Sequence, residues 1–243
     1  MTIIRFLLLL AVKGFGRTFY RFSVDWVGES QNADLRDIRK QLRDTKVLTL
    51  LNHTSLFEPI YLSLFPNRML WKMAKKTVVP IADVNFDKPF IGTVLKALAP
   101  KAVRLTRRRD KSWTSFMEQV HEESLIAIAP EGRMKRLNGL DKNGEPMTVK
   151  GGIADVIRNF EKGRMLMLYS GGLHHIYPPG KRIPRVFKKI SVRMEFCGIP
   201  DYKDRIGEIS PFEFTKEVIR DLEQRRDLYC PLPPRLPGVV AVS

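Results

Sequence analysis

The sequence predicts an α/β fold: one layered domain with a largely parallel sheet flanked by helices, preceded by an amphipathic N-terminal helix. Three observations carry this. Short apolar runs of strand length alternate with helix-length segments along most of the chain. A chain of 243 residues, 44% hydrophobic and 28% charged, can bury one full core. No repeat or low-complexity block interrupts it.

The elements follow in order. Residues 1–23 form the N-terminal segment, in which only Phe6 to Val12 is an unbroken apolar run. That is far short of the roughly 20 residues a membrane-spanning helix needs. A signal peptide is the rival reading, but Lys13-Gly14-Phe15-Gly16 follows the run with no clear small-x-small cleavage site. Arg5, Lys13, Arg17 and Arg21 are spaced by multiples of four and so fall along one side of a helix, while Ile4, Leu7, Leu8, Phe15, Phe19 and Phe22 lie largely away from it. That pattern describes a helix lying in a membrane interface. Residues 24–229 make the α/β domain. Strands are expected at Val47–Leu51, Ala102–Leu105, Leu125–Ala129, Met165–Tyr169 and Ile190–Phe196, with an extended stretch at Arg68–Met73. Helices are expected at Ser55–Phe65, Pro89–Leu98, Ser112–His121, Ile153–Phe160 and Phe214–Arg225. Residues 230–243 form a proline-rich tail, extended over Pro231–Pro237.

Net charge is +16 and the sequence pI about 10. A balance of that kind draws a protein to anionic surfaces, either nucleic acid or lipid headgroups. The apolar N-terminus beside the cations favours an anionic membrane surface, and no nucleic-acid-binding module, Walker loop or GxGxxG is present. Cys197 and Cys230 imply no disulfide framework and fit a reducing, cytoplasmic setting, with a single bridge between them left open.

Two stretches carry chemistry. Asn52-His53-Thr54-Ser55-Leu56-Phe57-Glu58-Pro59 follows the strand Val47–Leu51 directly, so His53 stands at a strand's C-terminal end, where open α/β sheets place their sites. An imidazole titrates near neutrality and accepts a proton from a hydroxyl. Glu58, five residues on, can fold back to fix its tautomer and stabilise the imidazolium. Ser55-x-x-Glu58 also reads as a capping box that needs no catalysis. The second stretch, Ala129-Pro130-Glu131-Gly132-Arg133-Met134-Lys135-Arg136, follows another apolar strand and suits an anionic, hydroxyl-bearing ligand. Gly132 permits close backbone approach and an arginine grips phosphate with a planar fork. A solvated basic loop is the plain alternative. His174 and His175 are adjacent and so poorly placed to share one metal ion, and no metal site is expected. The basic run from Lys181 to Arg193 suits anionic headgroups, an acidic carrier protein or the phosphates of coenzyme A.

Together these stretches resemble the glycerolipid acyltransferase family that includes the 1-acylglycerol-3-phosphate acyltransferases. Its first motif is Asn-His-x4-Asp and its third is Pro-Glu-Gly followed by basic residues. Asn52-His53-x4-Glu58 and Pro130-Glu131-Gly132-Arg133 match them in order, and Asp87 to Gly92 with Val103 to Arg107 resembles the block between. The resemblance covers roughly Leu48 to Tyr169 and departs in Glu58 for aspartate, a carboxylate moved out by about 1.5 Å. It implies an acyl transfer from acyl-CoA or acyl-carrier protein, as co-substrate without a cofactor, to the hydroxyl of a lysophospholipid. His53 would be the base and Glu58 its orienting partner. Glu131, Gly132 and Arg133 would hold the acceptor, and Arg107 its phosphate, with Arg104, Arg108 and Arg136 as rivals. Amides near Thr54 and Ser55 are candidate oxyanion donors. The resemblance also implies a peripheral or monotopic protein at the cytoplasmic face of a membrane. A late acyltransferase of lipopolysaccharide is the nearer alternative, and a non-enzymatic basic nucleic-acid- or membrane-binding protein the more distant one.

Overall fold

The computed structural model describes residues 1–106, 108–178, 181 and 183–232; Arg107 and residues 233–243, which hold most of the proline-rich tail, lie outside the described residues. Among the described residues seven strands form one sheet: β1 (Tyr20–Trp26), β2 (Thr45–Leu51), β3 (Thr77–Ala82), β4 (Lys101–Leu105), β5 (Leu125–Ile128), β6 (Arg164–Ser170) and β7 (Lys188–Gly198), in the order β1-β7-β6-β2-β5-β3-β4. Five of the six pairings are parallel; β7 runs antiparallel to β6, and β1 follows β7. The predicted α/β architecture is therefore the observed one.

Both faces of the sheet are covered, which is why β6 reads as an unbroken apolar run. Met165, Met167 and Tyr169 point into one core and Leu166 and Leu168 into the other. The first core packs against α6 (Lys111–Met117), α7 (Gly152–Arg158) and the closing helix α9 (Pro211–Tyr229). The second packs against α1 (Thr2–Phe19), a 3-10 helix at Glu58–Leu64 and α3 (Asn67–Lys76). Of the remaining helices, α2 is Leu35–Asp44, α4 Asp83–Phe86, α5 Pro89–Leu98 and α8 Ile199–Ile206.

Several expectations need correcting. Arg68–Met73 is helical: within α3 the buried residues Met69, Leu70, Met73 and Ala74 recur at helical spacing, and Pro66 stands at the N-cap. The strand falls next, in Thr77–Ala82, disguised by Pro80. β5 pairs only with Thr77 and Val78, so beyond them that side of β3 tolerates a residue without an N–H. Within Ser55–Phe65 the helix is confined to Glu58–Leu64 and is of the 3-10 kind. α1 stops at Phe19, and Tyr20 onward enters the sheet as its edge strand.

α1 lies against the domain. Gly16 permits the approach, since a Cβ there would fall 1.9 Å from Ser63 Oγ. Lys13 Nζ donates to Asn67 Oδ1 at 2.6 Å and Arg17 Nε to the Ser63 carbonyl at 3.3 Å, so two of the four basic residues bond back to the protein. At the far side of the sheet, Glu195 is fully buried in β7. Its carboxylate accepts Arg225 Nη1 at 2.8 Å on each oxygen, the Tyr169 hydroxyl at 2.6 Å and the Glu29 N–H at 3.1 Å. Removing one member of a buried pair leaves an uncompensated charge, which typically costs about 3–5 kcal/mol. Arg225→Ala is thus expected to lower the unfolding free energy by about that amount in urea titrations; a loss under about 1 kcal/mol would contradict a buried pair.

Candidate active site

Three neighbouring parallel strands deliver the site. β5, β2 and β6 end at Ile128, Leu51 and Ser170, so the residues following each emerge at one edge of the sheet. β3 and β4 run the same way and bring Ala82 and Leu105 to that edge too. The turn after β2 opens with Asn52 at φ 63, a left-handed conformation that asparagine tolerates better than most residues. Its side-chain amide donates to the Ser170 carbonyl at 2.8 Å, which ties the turn to β6.

That backbone twist aims successive amides at two acids. The N–H groups of Asn52 and His53 donate to the two oxygens of Glu131, at 3.3 and 2.8 Å. Those of Thr54 and Ser55 donate to Glu58 Oε1, at 2.7 and 3.1 Å. Glu58 Oε2 receives the His53 Nδ1–H, completing the pair expected from their spacing. With Nδ1 protonated, Nε2 keeps its lone pair for a substrate. The reciprocal capping box is absent, since Ser55 Oγ accepts from the Phe57 N–H instead. The amides of Thr54 and Ser55 are occupied by Glu58, which removes them as oxyanion donors.

His53 keeps 19% of its side chain exposed while Glu58 keeps 8%. Burial opposes charging the imidazole, but the adjoining Glu58 carboxylate, assisted by Glu131, outweighs it and raises the pKa above the usual 6.5. Burial pushes the Glu131 carboxyl up, against the pull of the His53 N–H and of Arg226. Both cysteine thiols are free, and burial pushes each up to about 12, so neither is a thiolate at neutral pH.

Behind His53 opens a cleft of about 1030 Å3. Its lining combines apolar side chains, among them Val79, Ile81, Val84, Leu95, Leu105 and Trp113, with cations, among them Arg108, Lys135, Arg136, Lys142 and Lys150. Such a cavity matches an amphiphile with an anionic head. Arg133 also reaches the cleft, but its guanidinium is held by the buried carboxylate of Asp141. Gly132 has φ +64 with ample room around it, so its backbone angle, not space, calls for glycine. Glu131 is 1% exposed and has both oxygens engaged by the chain itself.

Arg107 lies outside the described residues. Its neighbour Arg108 lines the cleft, while Arg104 pairs with Asp87 at 2.7 Å and is not among the lining residues. Sequence reasoning missed Trp113, whose ring stacks over Gly152; a Cβ there would lie 2.5 Å from it. His174, which the sequence places on a loop either near the site or exposed, is on the near side of that choice. His174 lines the cleft with Nε2–H donating to the Lys135 carbonyl at 2.9 Å, and burial lowers its pKa. His175 turns away, to the Lys189 carbonyl at 2.8 Å.

Comparison with known proteins agrees with the fold. In structure, the chain is similar to the 1-acyl-sn-glycerophosphate acyltransferase PlsC of Thermotoga maritima, with a TM-score of 0.51 and 15% identity over 90% of this chain and 80% of that one. No curated protein matches it by sequence. The sequence model of the Acyltransferase family matches residues 32–180, a span that includes both carboxylates, the histidine and the Pro-Glu-Gly loop, and on that match the chain belongs to the acyltransferase family.

Proposed function

We propose that this acyltransferase moves a fatty acyl group from acyl-CoA or acyl-carrier protein to the free hydroxyl of a lysophospholipid such as 1-acylglycerol-3-phosphate, with His53 as general base. The observation that carries the reading is the His53–Glu58 pair in a cleft lined by both apolar and cationic side chains. His53 Nε2 takes the hydroxyl proton as the oxygen attacks the thioester carbonyl, and the collapsing intermediate expels the thiolate, which leaves as the thiol. Glu58 holds the ring and offsets the charge it gains. Transfer is direct, in keeping with two cysteines whose thiols stay protonated. The apolar lining suits an acyl chain and the cations suit a phosphate.

Membrane docking is part of the proposal, at the cytoplasmic face. Among the described residues no helix is long and apolar enough to cross a membrane. Along α1, however, Ile3, Ile4, Leu7, Leu8, Ala11 and Phe15 form an exposed stripe at helical spacing, while Leu9 and Gly16 face the protein. Next to its C-terminal end stand Ile183 and Phe187, 81% and 70% exposed, among Lys181, Arg185, Lys188 and Lys189. The Phe187 N–H donates to the Phe19 carbonyl at 2.7 Å, which joins this loop to α1. Apolar side chains ringed by cations suit a membrane carrying anionic lipid.

The decisive experiment offers the purified protein a panel of lysolipids and lipid A precursors with both thioester donors and identifies products by mass. Acylated lysophospholipid is expected; acylation of lipid A precursors alone would favour the lipopolysaccharide branch, and no product with any pair would overturn the reading. His53→Ala is expected to fold normally and lose roughly 100-fold or more in kcat, and full activity in that variant would remove His53 from the mechanism. Because the base must be neutral, activity is lost as pH falls through the raised His53 pKa, so the acid limb of kcat/KM should lie above pH 6.5. In Glu58→Gln the anion is gone and the limb should move down. Leu7→Asp with Leu8→Asp is expected to abolish co-flotation with vesicles of mixed zwitterionic and anionic lipid, and undiminished flotation would exclude α1 as the anchor.

A further inference from the structure

Glu131 sits in the Pro-Glu-Gly motif, yet it is shut away from the cleft's solvent and spends both oxygens on the backbone of residues 52 and 53. A carboxylate accepts at both oxygens; a carboxylic acid gives up part of that capacity to its own O–H. Its grip on the turn therefore depends on staying ionised, although burial favours the neutral acid. One guanidinium meets this need. Arg226 Nη1 stands 3.5 Å from Glu131 Oε1, half-buried, with its Nε donating to Asp227 Oδ1 at 2.8 Å and its Nη1 to the Met147 carbonyl at 2.9 Å.

The helix that carries Arg226 also braces the loop from the other side. Glu223 Oε1 accepts the Val149 N–H at 2.8 Å, and the Lys150 N–H donates to the Pro130 carbonyl at 2.9 Å. A hydrogen-bonded path thus runs from α9 through residues 147–150 to the residue before Glu131. α9 lies outside the 32–180 span that matches the family.

We propose that Arg226 is a positioning residue of the active site: its guanidinium keeps Glu131 ionised, and ionised Glu131 holds the Asn52–His53 turn that aims the imidazole into the cleft. Glu131 on this account grips the chain's own backbone and not the acceptor lipid. The proposal rests on the reading of His53 as the base. The charged and titratable groups facing Glu131 are His53 from the turn and Arg226 from α9, with Glu223 and Asp227 behind Arg226, and Cys230 and Lys135 nearby.

The test uses full-length Arg226→Gln, which keeps a donor but drops the charge, Arg226→Lys, which keeps the charge, Glu131→Gln and the double variant. Arg226→Gln should lose roughly 10- to 100-fold in kcat with the lysolipid KM little changed, and Arg226→Lys should recover most of it. Without the cation Glu131 takes up a proton and His53 loses the anion beside it, so the acid limb should move down in Arg226→Gln as it does in Glu131→Gln, where the anion is removed outright. If Arg226 acts through Glu131, the double variant is no slower than Glu131→Gln. NMR titration of the His53 ring reads the same downward shifts without substrate. Downward shifts in both variants with an inert wild-type enzyme would therefore sink the acyltransferase reading and uphold this one. A wild-type or raised ring pKa in Arg226→Gln would overturn the proposal, as would additive losses in the double variant. A raised lysolipid KM at unchanged kcat in Glu131→Gln would overturn it too, by making Glu131 a substrate ligand. Circular dichroism and thermal melts accompany each variant; if Arg226→Gln does not fold, the ring of Arg226→Lys should titrate as in the wild type while that of Glu131→Gln shifts down, and an unshifted ring in Glu131→Gln overturns the proposal.

Discussion

Four consecutive backbone amides, from Asn52 to Ser55, are shared between two buried carboxylates, and the site is arranged around that division. Such a run of N–H groups forms a concave anion trap that has to be filled. Glu131 arrives from the strand next door and fills the first half; Glu58 folds back along the chain and fills the second. With both in place the turn has no freedom to swing, and the ring between them is fixed by its Nδ1 bond. Either carboxylate left without its amides would be a buried charge with too few partners, so each half of the trap stabilises the other.

Parallel strand order makes this convergence possible. β5, β2 and β6 lie side by side and point the same way, so the Pro-Glu-Gly loop, the histidine turn and the Gly-Gly-Leu-His stretch after β6 leave the sheet together. The last of these clasps the turn from its far side: the Leu173 N–H donates to Thr54 Oγ1 at 2.9 Å, and Tyr61 reaches Ser170 Oγ at 2.6 Å. Apolar strands buried on both faces give the scaffold its rigidity, and the polar work is confined to their ends.

Much of this was legible from residues alone. The strands β2, β5 and β6 are short apolar runs with clear limits, and a histidine with a carboxylate five positions on is a local relation that a turn can satisfy. What escaped has physical reasons. α2 is so charged, with only Leu42 buried, that its helical signal lies in the Asp34 cap and not in an apolar stripe. β3 hides behind Pro80, and α3 behind a row of cations on its exposed side. In the site, Glu131 reads from the sequence as a ligand for the acceptor, while its side chain turns to the backbone of residues 52 and 53; a motif names a residue type, not the direction its side chain takes. Arg226 and His174 come near these residues only through long-range folding, and no local spacing announces them.

The edge strand β1 carries a last consequence. It pairs with β7 alone, Tyr20 opposite Lys188, so the chain's first strand waits for its last. During synthesis the greasy leading helix and the strand behind it emerge with no sheet to join, while every intervening strand can already assemble. The leading helix thus leaves the ribosome well before the layer it packs against is complete, and the late arrival of β7 gives β1 its partner. A chain stopped short of β7 would leave that first strand unpaired.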